Sequence, residues 1–146
     1  MNLSADLREF IELLNSRGVE YVIVGAHSLA FHGRPRYTGD LDILVRPSPE
    51  NVEKLTSVLT EFGFAESGLE PSDFTEPDQM IQLGRVPNRI DLLTGITGVV
   101  TNEAFEKKIV TELAGLPVYM LSKDLLIQNK RAVARPQDLA DLDALS

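Results

Sequence analysis

The chain contains no cysteine among its 146 residues. This absence excludes disulfide bonds, thiolate zinc sites and a cysteine nucleophile, and it favours an intracellular protein. No apolar run approaches the ~20 residues that a membrane-spanning helix needs. The N-terminal segment is charged from Asp6 onward, unlike a signal peptide. We therefore expect a cytoplasmic protein with no membrane partner.

Positive charge is scarce, with 14 Lys and Arg against 22 Asp and Glu and a net charge of −8. This balance disfavours broad, non-specific nucleic-acid binding, which depends on neutralisation of phosphates by Lys and Arg. A small basic pocket for one phosphorylated ligand remains compatible with it. The basic residues do form local groups, at positions 34 and 36, 85 and 89, and 130, 131 and 135. Each group is explained equally well as solvated surface.

Hydrophobic periodicity predicts one domain, 1–146, in which helices and strands alternate. Helices are predicted at 4–17, 26–31, 49–62, 122–131 and from 136 onward, and strands at 21–24, 40–45, 80–83, 89–93, 109–112 and 117–119. The acidic segment 65–77 reads as a loop. This order indicates an α+β fold with an α/β-like start, in which helices flank a mixed sheet. The C-terminal helices, 122–145, are expected to pack on that domain.

Two carboxylates, Asp40 and Asp42, are separated by one apolar residue at the start of a predicted strand. Residues i and i+2 of a strand share a face, so their Cα atoms lie roughly 6–7 Å apart. Carboxylates this close repel each other unless positive charge lies between them. A divalent cation is the usual solution, and Mg²⁺ is held by one or two carboxylates together with substrate phosphates.

A third acid, Asp91, lies between apolar residues in the predicted strand 89–93. A single aspartate in a strand most often faces solvent. Three carboxylates on neighbouring strands, however, can hold two metal ions roughly 3.5–4 Å apart, as in in-line phosphoryl transfer. Asp40, Asp42 and Asp91 are therefore the candidate catalytic and metal-binding residues, and they are predicted to converge.

The turn after the first predicted strand supplies groups that suit a phosphate. Gly25 allows the backbone to approach a ligand closely, and the following helix directs free N–H groups and its positive end toward that ligand. Ser28 could add a hydroxyl group. An ordinary strand–turn–helix connection explains the same residues when they are taken alone.

These residues together resemble the nucleotidyltransferase superfamily related to DNA polymerase beta: Gly25-Ala26 on a turn, Asp40-x-Asp42, and Asp91 on a later strand. The segment GAHSLAFHGRPRYTGDLDILV is similar to a bacterial subgroup of small nucleotidyltransferase-like proteins, some of them toxin or antitoxin components. RIDLLTGI and LLIQNKRAVARPQDLADLDAL extend the resemblance, which runs roughly from Val22 to Leu145.

The resemblance implies a nucleotidyltransferase fold with Mg²⁺ as cofactor, or Mn²⁺ in its place. Asp40 and Asp42 would bind metal and phosphates, and Asp91 would orient or deprotonate an acceptor hydroxyl. The superfamily usually has serine or glycine where this chain has Ala26, so backbone N–H groups are expected to bind the phosphates. The nucleotide-binding candidates are Gly25, Ala26, Ser28, Arg36 and Lys130.

Arg36 and His32 have two interpretations each, and Asp138 and Asp141 have one. Arg36 either neutralises Asp40 or binds a γ-phosphate. His32 either supports the site or binds phosphate or, as we favour, has a structural role, in which it caps its helix or holds the loop to the sheet. Asp138 and Asp141 are interpreted as exposed charges near the start of the last helix.

The leading hypothesis is a Mg²⁺-dependent nucleotidyltransferase that moves a nucleoside monophosphate from an NTP to a hydroxyl group of a protein or RNA acceptor. The intact set of three acids favours this enzyme. The rival hypothesis is a non-catalytic binding protein that keeps the fold and acts as an antitoxin-like partner of a cognate toxin or antitoxin protein. The acidic surface and the lack of a second domain to hold an acceptor favour the rival.

Overall fold

The structure is a computed structural model that describes residues 4–33, 40–64, 68–84 and 89–145. Within these ranges the chain forms six strands and six α-helices. The strands are β1 (Tyr21–Val24), β2 (Leu41–Val45), β3 (Met80–Leu83), β4 (Ile90–Leu93), β5 (Ile109–Leu113) and β6 (Leu116–Met120). The helices are α1 (Ala5–Ser16), α2 (Gly25–His32), α3 (Pro49–Leu59), α4 (Thr101–Glu106), α5 (Lys123–Val133) and α6 (Pro136–Leu145).

The strands form one mixed sheet in the order β3-β4-β2-β1-β6-β5. β1 pairs antiparallel with β2 and parallel with β6, and β2 pairs parallel with β4. The β3–β4 and β5–β6 hairpins are antiparallel. The α+β fold with a mixed sheet and flanking helices is thereby confirmed. β2, which carries Asp42, lies in the middle of the sheet between β1 and β4.

Local sequence signals account for most helix starts. α1, α3 and α5 each begin at a serine whose hydroxyl accepts a backbone N–H from the first turn, namely Ser4, Ser48 and Ser122. α3 ends at Leu59, before the predicted end, and a π-helical turn over Thr60–Phe64 follows it. The predicted loop 65–77 contains a 3₁₀ turn, Pro71–Phe74, which buries Phe74. The short helix α4 was not predicted.

The sheet separates two hydrophobic cores, because successive side chains of a strand point to opposite faces. In β1, Tyr21 and Ile23 belong to the core packed by α1 and α3, whereas Val22 and Val24 belong to the core that includes α4 and α5. α2 contacts β1, β2, α5 and α6. Alternation along β2 and β4 places Asp42 and Asp91 on this second face, the face that α2 covers.

No helix within the described ranges combines the length and the hydrophobicity that crossing a lipid bilayer would require.

Candidate functional site

Two of the predicted site residues are direct neighbours in the sheet. Asp42 of β2 and Asp91 of β4 are partners in the parallel register, so their side chains emerge side by side from one face. Asp91 is only 5% exposed. Two carboxylates that lie this close repel each other when both are ionised.

The third acid joins this pair through an arginine. Asp40 lies immediately before β2, which begins at Leu41, one residue later than predicted. The Arg89 Nη2 atom donates to the Asp40 Oδ2 atom at 3.1 Å and to the Asp91 Oδ2 atom at 3.3 Å. The Arg89 Nε atom also makes an ion contact of 3.1 Å with the Asp91 Oδ1 atom. Arg89 thus links Asp40 to Asp91, and the three predicted acids lie together. We call Asp40, Asp42, Asp91 and Arg89 the acid cluster.

Sequence reasoning did not assign Arg89 to the site. The signal was present, because Arg89 and Asp91 are two residues apart and alternation places them on the same face. In addition, the Leu41 N–H donates to the Arg89 carbonyl at 2.9 Å, which holds the chain beside Asp40 next to the arginine.

The acid cluster shifts the protonation of Asp42. Burial is the largest effect and raises the pKa of Asp42, to about 7; the side chain of Asp91 and the charges of Asp91 and Asp40 act in the same direction, and Arg89 opposes them. The charge of Arg89 does not cancel the effects that raise this pKa. At neutral pH, Asp42 is therefore poised between its protonated and ionised forms.

Gly25 lies against this carboxylate. Its φ of +68° is unfavourable for residues with a Cβ, and a Cβ at this position would lie 2.1 Å from the Asp42 Oδ2 atom and 3.0 Å from the Asp42 Cβ atom. Gly25 is also the first residue of α2, whose N-cap residue, Val24, offers no side-chain hydrogen bond. The N-terminal end of α2 thus approaches the acid cluster with backbone N–H groups that no capping side chain accepts.

Two polar side chains of α2 are buried without a partner. His27 is 1% exposed and Ser28 is 0% exposed, and neither His27 ring nitrogen nor the Ser28 hydroxyl forms a hydrogen bond. Burial lowers the pKa of His27, although the nearby Asp40 backbone and charge oppose this. The imidazole is consequently neutral. Sequence reasoning did not single out His27; Ser28, a predicted phosphate ligand, lies in the interior, whereas Ala26 is half-buried in the first turn.

The remaining predictions have different outcomes. Arg36 lies outside the described residues. The His32 Nε2 atom lies 2.6 Å from the Leu121 carbonyl oxygen, which agrees with the favoured structural role of holding α2 to the end of β6.

Lys130 forms ion pairs away from the three acids. Its ammonium group donates to the Asp138 Oδ1 atom at 3.1 Å and to the Asp141 Oδ2 atom at 3.2 Å. Both aspartates are 1% exposed, so the interpretation of Asp138 and Asp141 as exposed charges was wrong. Arg135 donates a further hydrogen bond to Asp138 at 2.7 Å. We call Lys130, Arg135, Asp138 and Asp141 the helical ion cluster, since it joins α5 to α6.

The donor chemistry of the acid cluster fits Mg²⁺, which prefers carboxylate oxygens. A dication bound between Asp42 and Asp91 would remove the repulsion between their carboxylates. Within the described ranges, however, no group of three acidic or histidine side chains is arranged to hold a metal ion. The guanidinium group of Arg89 lies between Asp40 and Asp91, where a metal ion bound by both would lie.

Comparison with known proteins supports the fold. No family model and no curated protein matches the chain. A solved structure that is similar to it is the crystal structure of a provisionally assigned nucleotidyltransferase from Thermotoga maritima. The two chains are 18% identical, the match covers 94% of this chain and 88% of the other, and the TM-score is 0.65. This chain thus has a nucleotidyltransferase-like fold.

Proposed function

We propose that this protein is a Mg²⁺-dependent nucleotidyltransferase, which transfers a nucleoside monophosphate from an NTP to a hydroxyl group of a protein or RNA acceptor. Mn²⁺ is the alternative ion. The observation that carries this proposal is the pairing of Asp42 with Asp91 on adjacent parallel strands, beside the uncapped start of α2. This arrangement combines oxygen ligands for a cation with backbone donors for phosphate, which phosphoryl transfer requires.

In this proposal the three acids have separate roles. Asp40 and Asp42 would hold the ion, which supplies positive charge to the phosphates of the NTP. Asp42 would lose its proton on binding, and its pKa of about 7 makes that loss inexpensive at neutral pH. Asp91 would orient the acceptor hydroxyl and take its proton while the oxygen attacks the α-phosphorus. The bond from that phosphorus to the bridging oxygen breaks, and pyrophosphate leaves.

The α2 turn would bind the phosphates through its backbone. Gly25 and Ala26 contribute N–H groups at the start of the helix, where the helix dipole favours an anion. The Ser28 hydroxyl is buried and would have to turn outward to reach a phosphate. Arg36 and Lys130 stay in the proposal as phosphate ligands, but Lys130 would first have to leave Asp138 and Asp141.

Arg89 decides how the site would be loaded. Its guanidinium group lies between Asp40 and Asp91 and forms an ion pair with each. A metal ion bound by both acids would occupy the same position. Binding of the ion and the NTP would therefore displace Arg89 from the acids. Once displaced, the guanidinium group could pair with a phosphate oxygen, for which its geometry is suited.

Calorimetric titration of each NTP in the presence of Mg²⁺, followed by intact-mass measurement of candidate acceptors, tests this function. We expect NTP binding that requires the metal and a mass increase of one nucleoside monophosphate on the acceptor. Asp91→Asn should keep NTP binding and abolish the transfer. The control variant Glu53→Gln, at an exposed position of α3, should retain both. Absence of metal-dependent NTP binding in the unmodified protein would contradict the proposal.

A non-catalytic role is the second candidate, and Arg89 is the observation that favours it. With Arg89 in place, Asp40 and Asp91 have a positive partner without metal, and the fold could serve as an antitoxin-like partner of a cognate toxin or antitoxin protein. In that case Arg89→Ala should leave partner binding intact but lower stability. If Arg89→Ala instead strengthens Mg²⁺ binding, the arginine competes with metal and the enzyme proposal gains support.

A further inference from the structure

Strand β5 forms one edge of the sheet and is poorly protected. Its pairing with β6 is continuous over five residue pairs, without a bulge, and within the described part of the chain no strand pairs with its other side. Val110, in this strand, is 70% exposed and is the most exposed of the large hydrophobic side chains in the described ranges. Natural edge strands are often protected by proline, bulges, covering elements or charged side chains. Within the described residues β5 contains no proline and no bulge, and its charged side chain is Glu112.

The hairpin geometry identifies which backbone groups of β5 are open. Leu113 and Leu116 are opposite each other and are joined by Ala114 and Gly115, both with positive φ, as in a two-residue hairpin turn. Leu113 and Leu116 therefore form a hydrogen-bonded pair, and hydrogen-bonded pairs alternate along the ladder. Residues 109, 111 and 113 bond to β6. The N–H and C=O groups of 108, 110 and 112 consequently point toward the open side.

We propose that the β5 edge binds a second copy of this chain, strand to strand and antiparallel, with the two-fold axis at Val110. The two sheets then become one continuous sheet across an isologous interface. β6 and β1 lie between β5 and the strand that carries Asp42, so this inference does not depend on the proposed function.

The charges of Lys108 and Glu112 determine which residues of the two β5 strands lie opposite each other. Centring the pairing on Val110 places each Lys108 opposite Glu112 of the second copy and brings the two exposed Val110 side chains into contact. All three residues have the same strand parity, so these side chains lie on one face. They are also the residues whose backbone groups face the open side, so their pairs are hydrogen-bonded pairs. Centring on Thr111 instead would place Val110 against Glu112 and leave Lys108 without an opposite charge.

The same features favour a second copy over an unrelated strand. One short segment carries a lysine and a glutamate at equal distances on either side of an exposed valine, which is the pattern that a two-fold axis needs. In the single chain, the Lys108 ammonium lies 5.1 Å from the centre of the Tyr119 ring and donates to the Phe105 carbonyl at 3.3 Å. These contacts hold the ammonium group over β6, so Lys108 would turn toward the open side of β5 to reach Glu112 of the second copy.

Sedimentation velocity over a range of protein concentrations tests the proposal by a charge exchange. We expect the unmodified protein to show a dimer fraction that rises with concentration. Lys108→Glu and Glu112→Lys should each raise the dimer dissociation constant by about tenfold or more, because each creates two like-charge pairs. The double variant Lys108→Glu/Glu112→Lys should restore the dimer. A purely structural effect of either substitution would not be reversed by the second.

Two further variants locate the interface. Val110→Pro removes an N–H that points to the open side, so it should abolish the dimer while thermal unfolding shows a folded chain. Met80→Lys is the matched control, because Met80 is 57% exposed on β3, at the opposite edge of the sheet. It should leave the dimer unchanged. The proposal would be overturned if the unmodified protein were monomeric at all concentrations or if the double variant did not recover the dimer. It would also be overturned if Met80→Lys lost the dimer while Val110→Pro kept it.

Discussion

The acid cluster and the helical ion cluster both remove carboxylates from water, but they are compensated very differently. In the helical ion cluster, Asp138 and Asp141 share Lys130, and Arg135 adds a second positive charge. In the acid cluster, Arg89 forms ion pairs with Asp40 and Asp91, and Asp42 lies beside them. The hydrogen bond from Arg135 is the largest influence on Asp138 and lowers its pKa, to about 2, whereas burial and its acidic neighbours raise the pKa of Asp42, to about 7.

This difference separates a structural role from a functional one. A balanced set of buried charges holds two helices together and needs no further ligand. An unbalanced set beside an uncapped helix start and two unpartnered polar side chains, His27 and Ser28, is unfavourable for folding by itself. Groups of residues that destabilise the fold locally are typical of functional sites. We therefore infer that the helical ion cluster stabilises the fold, and we propose that the acid cluster binds a ligand.

The largest expected effect comes from removing the cation of the balanced cluster. Lys130→Met removes the ammonium group that donates to both buried carboxylates, so it should lower the free energy of unfolding by about 3–5 kcal/mol. Denaturant unfolding at pH 7 measures this. The control Lys54→Met, at an exposed position of α3, should change it by less than about 0.5 kcal/mol. If the two variants lose equal stability, Lys130 has no structural role.

A glycine pair tests the close contact in the acid cluster. Gly25→Ala combines an unfavourable positive φ with a Cβ that collides with Asp42, and should cost about 2–3 kcal/mol. Gly18→Ala has nearly the same φ, +69°, but no atom lies within 4 Å of its Cβ, so it should cost about 1 kcal/mol. The difference in unfolding free energy isolates the contact with Asp42, and equal losses would show that this contact is not tight.

A smaller effect with a characteristic pH dependence is expected for Asp42→Asn. Because the pKa of Asp42 is higher in the folded chain than the ordinary value for an aspartate, the native state holds the proton more tightly, and stability falls as pH rises from about 4 to about 7. The asparagine variant has no carboxyl group to titrate, so its stability does not fall in this way. It should match the unmodified protein near pH 4 and exceed it by a margin that grows until about pH 7, with ~4 kcal/mol as the upper limit set by the full pKa shift. A constant difference between the two unfolding curves would contradict the assignment.

The parts of the fold that depend on local chemistry could be predicted from the sequence. Serine caps marked three helix starts, a β-branched and aromatic run marked β1, and the turn-rich sequence GRVPN marked the β3–β4 hairpin. The short α4 escaped prediction because its six residues have no side-chain cap. The parallel pairing of β2 with β4, which joins Asp42 to Asp91, is a long-range contact, and the expectation rested on strand parity and on the argument that clustered carboxylates bind a metal.

The last helix shows where periodicity fails. Leu139, Leu142 and Leu145 recur at helical spacing and predict an apolar face, yet Leu139 is 51% exposed while Asp138 and Asp141 are buried. The buried stripe is 138, 141 and 145, which has helical spacing as well. Hydrophobicity could not distinguish the two stripes, because the cation that makes burial of the aspartates favourable comes from α5.

We propose that the acid cluster binds a divalent cation together with a nucleotide. The test is the melting temperature of the protein, measured at increasing Mg²⁺ concentration in the presence of an NTP. A ligand that binds only the folded chain raises the melting temperature once its concentration passes the dissociation constant. We predict a rise for the unmodified protein and for Glu53→Gln, and no rise for Asp42→Asn. An equal rise in Asp42→Asn, or none in the unmodified protein, would contradict the claim.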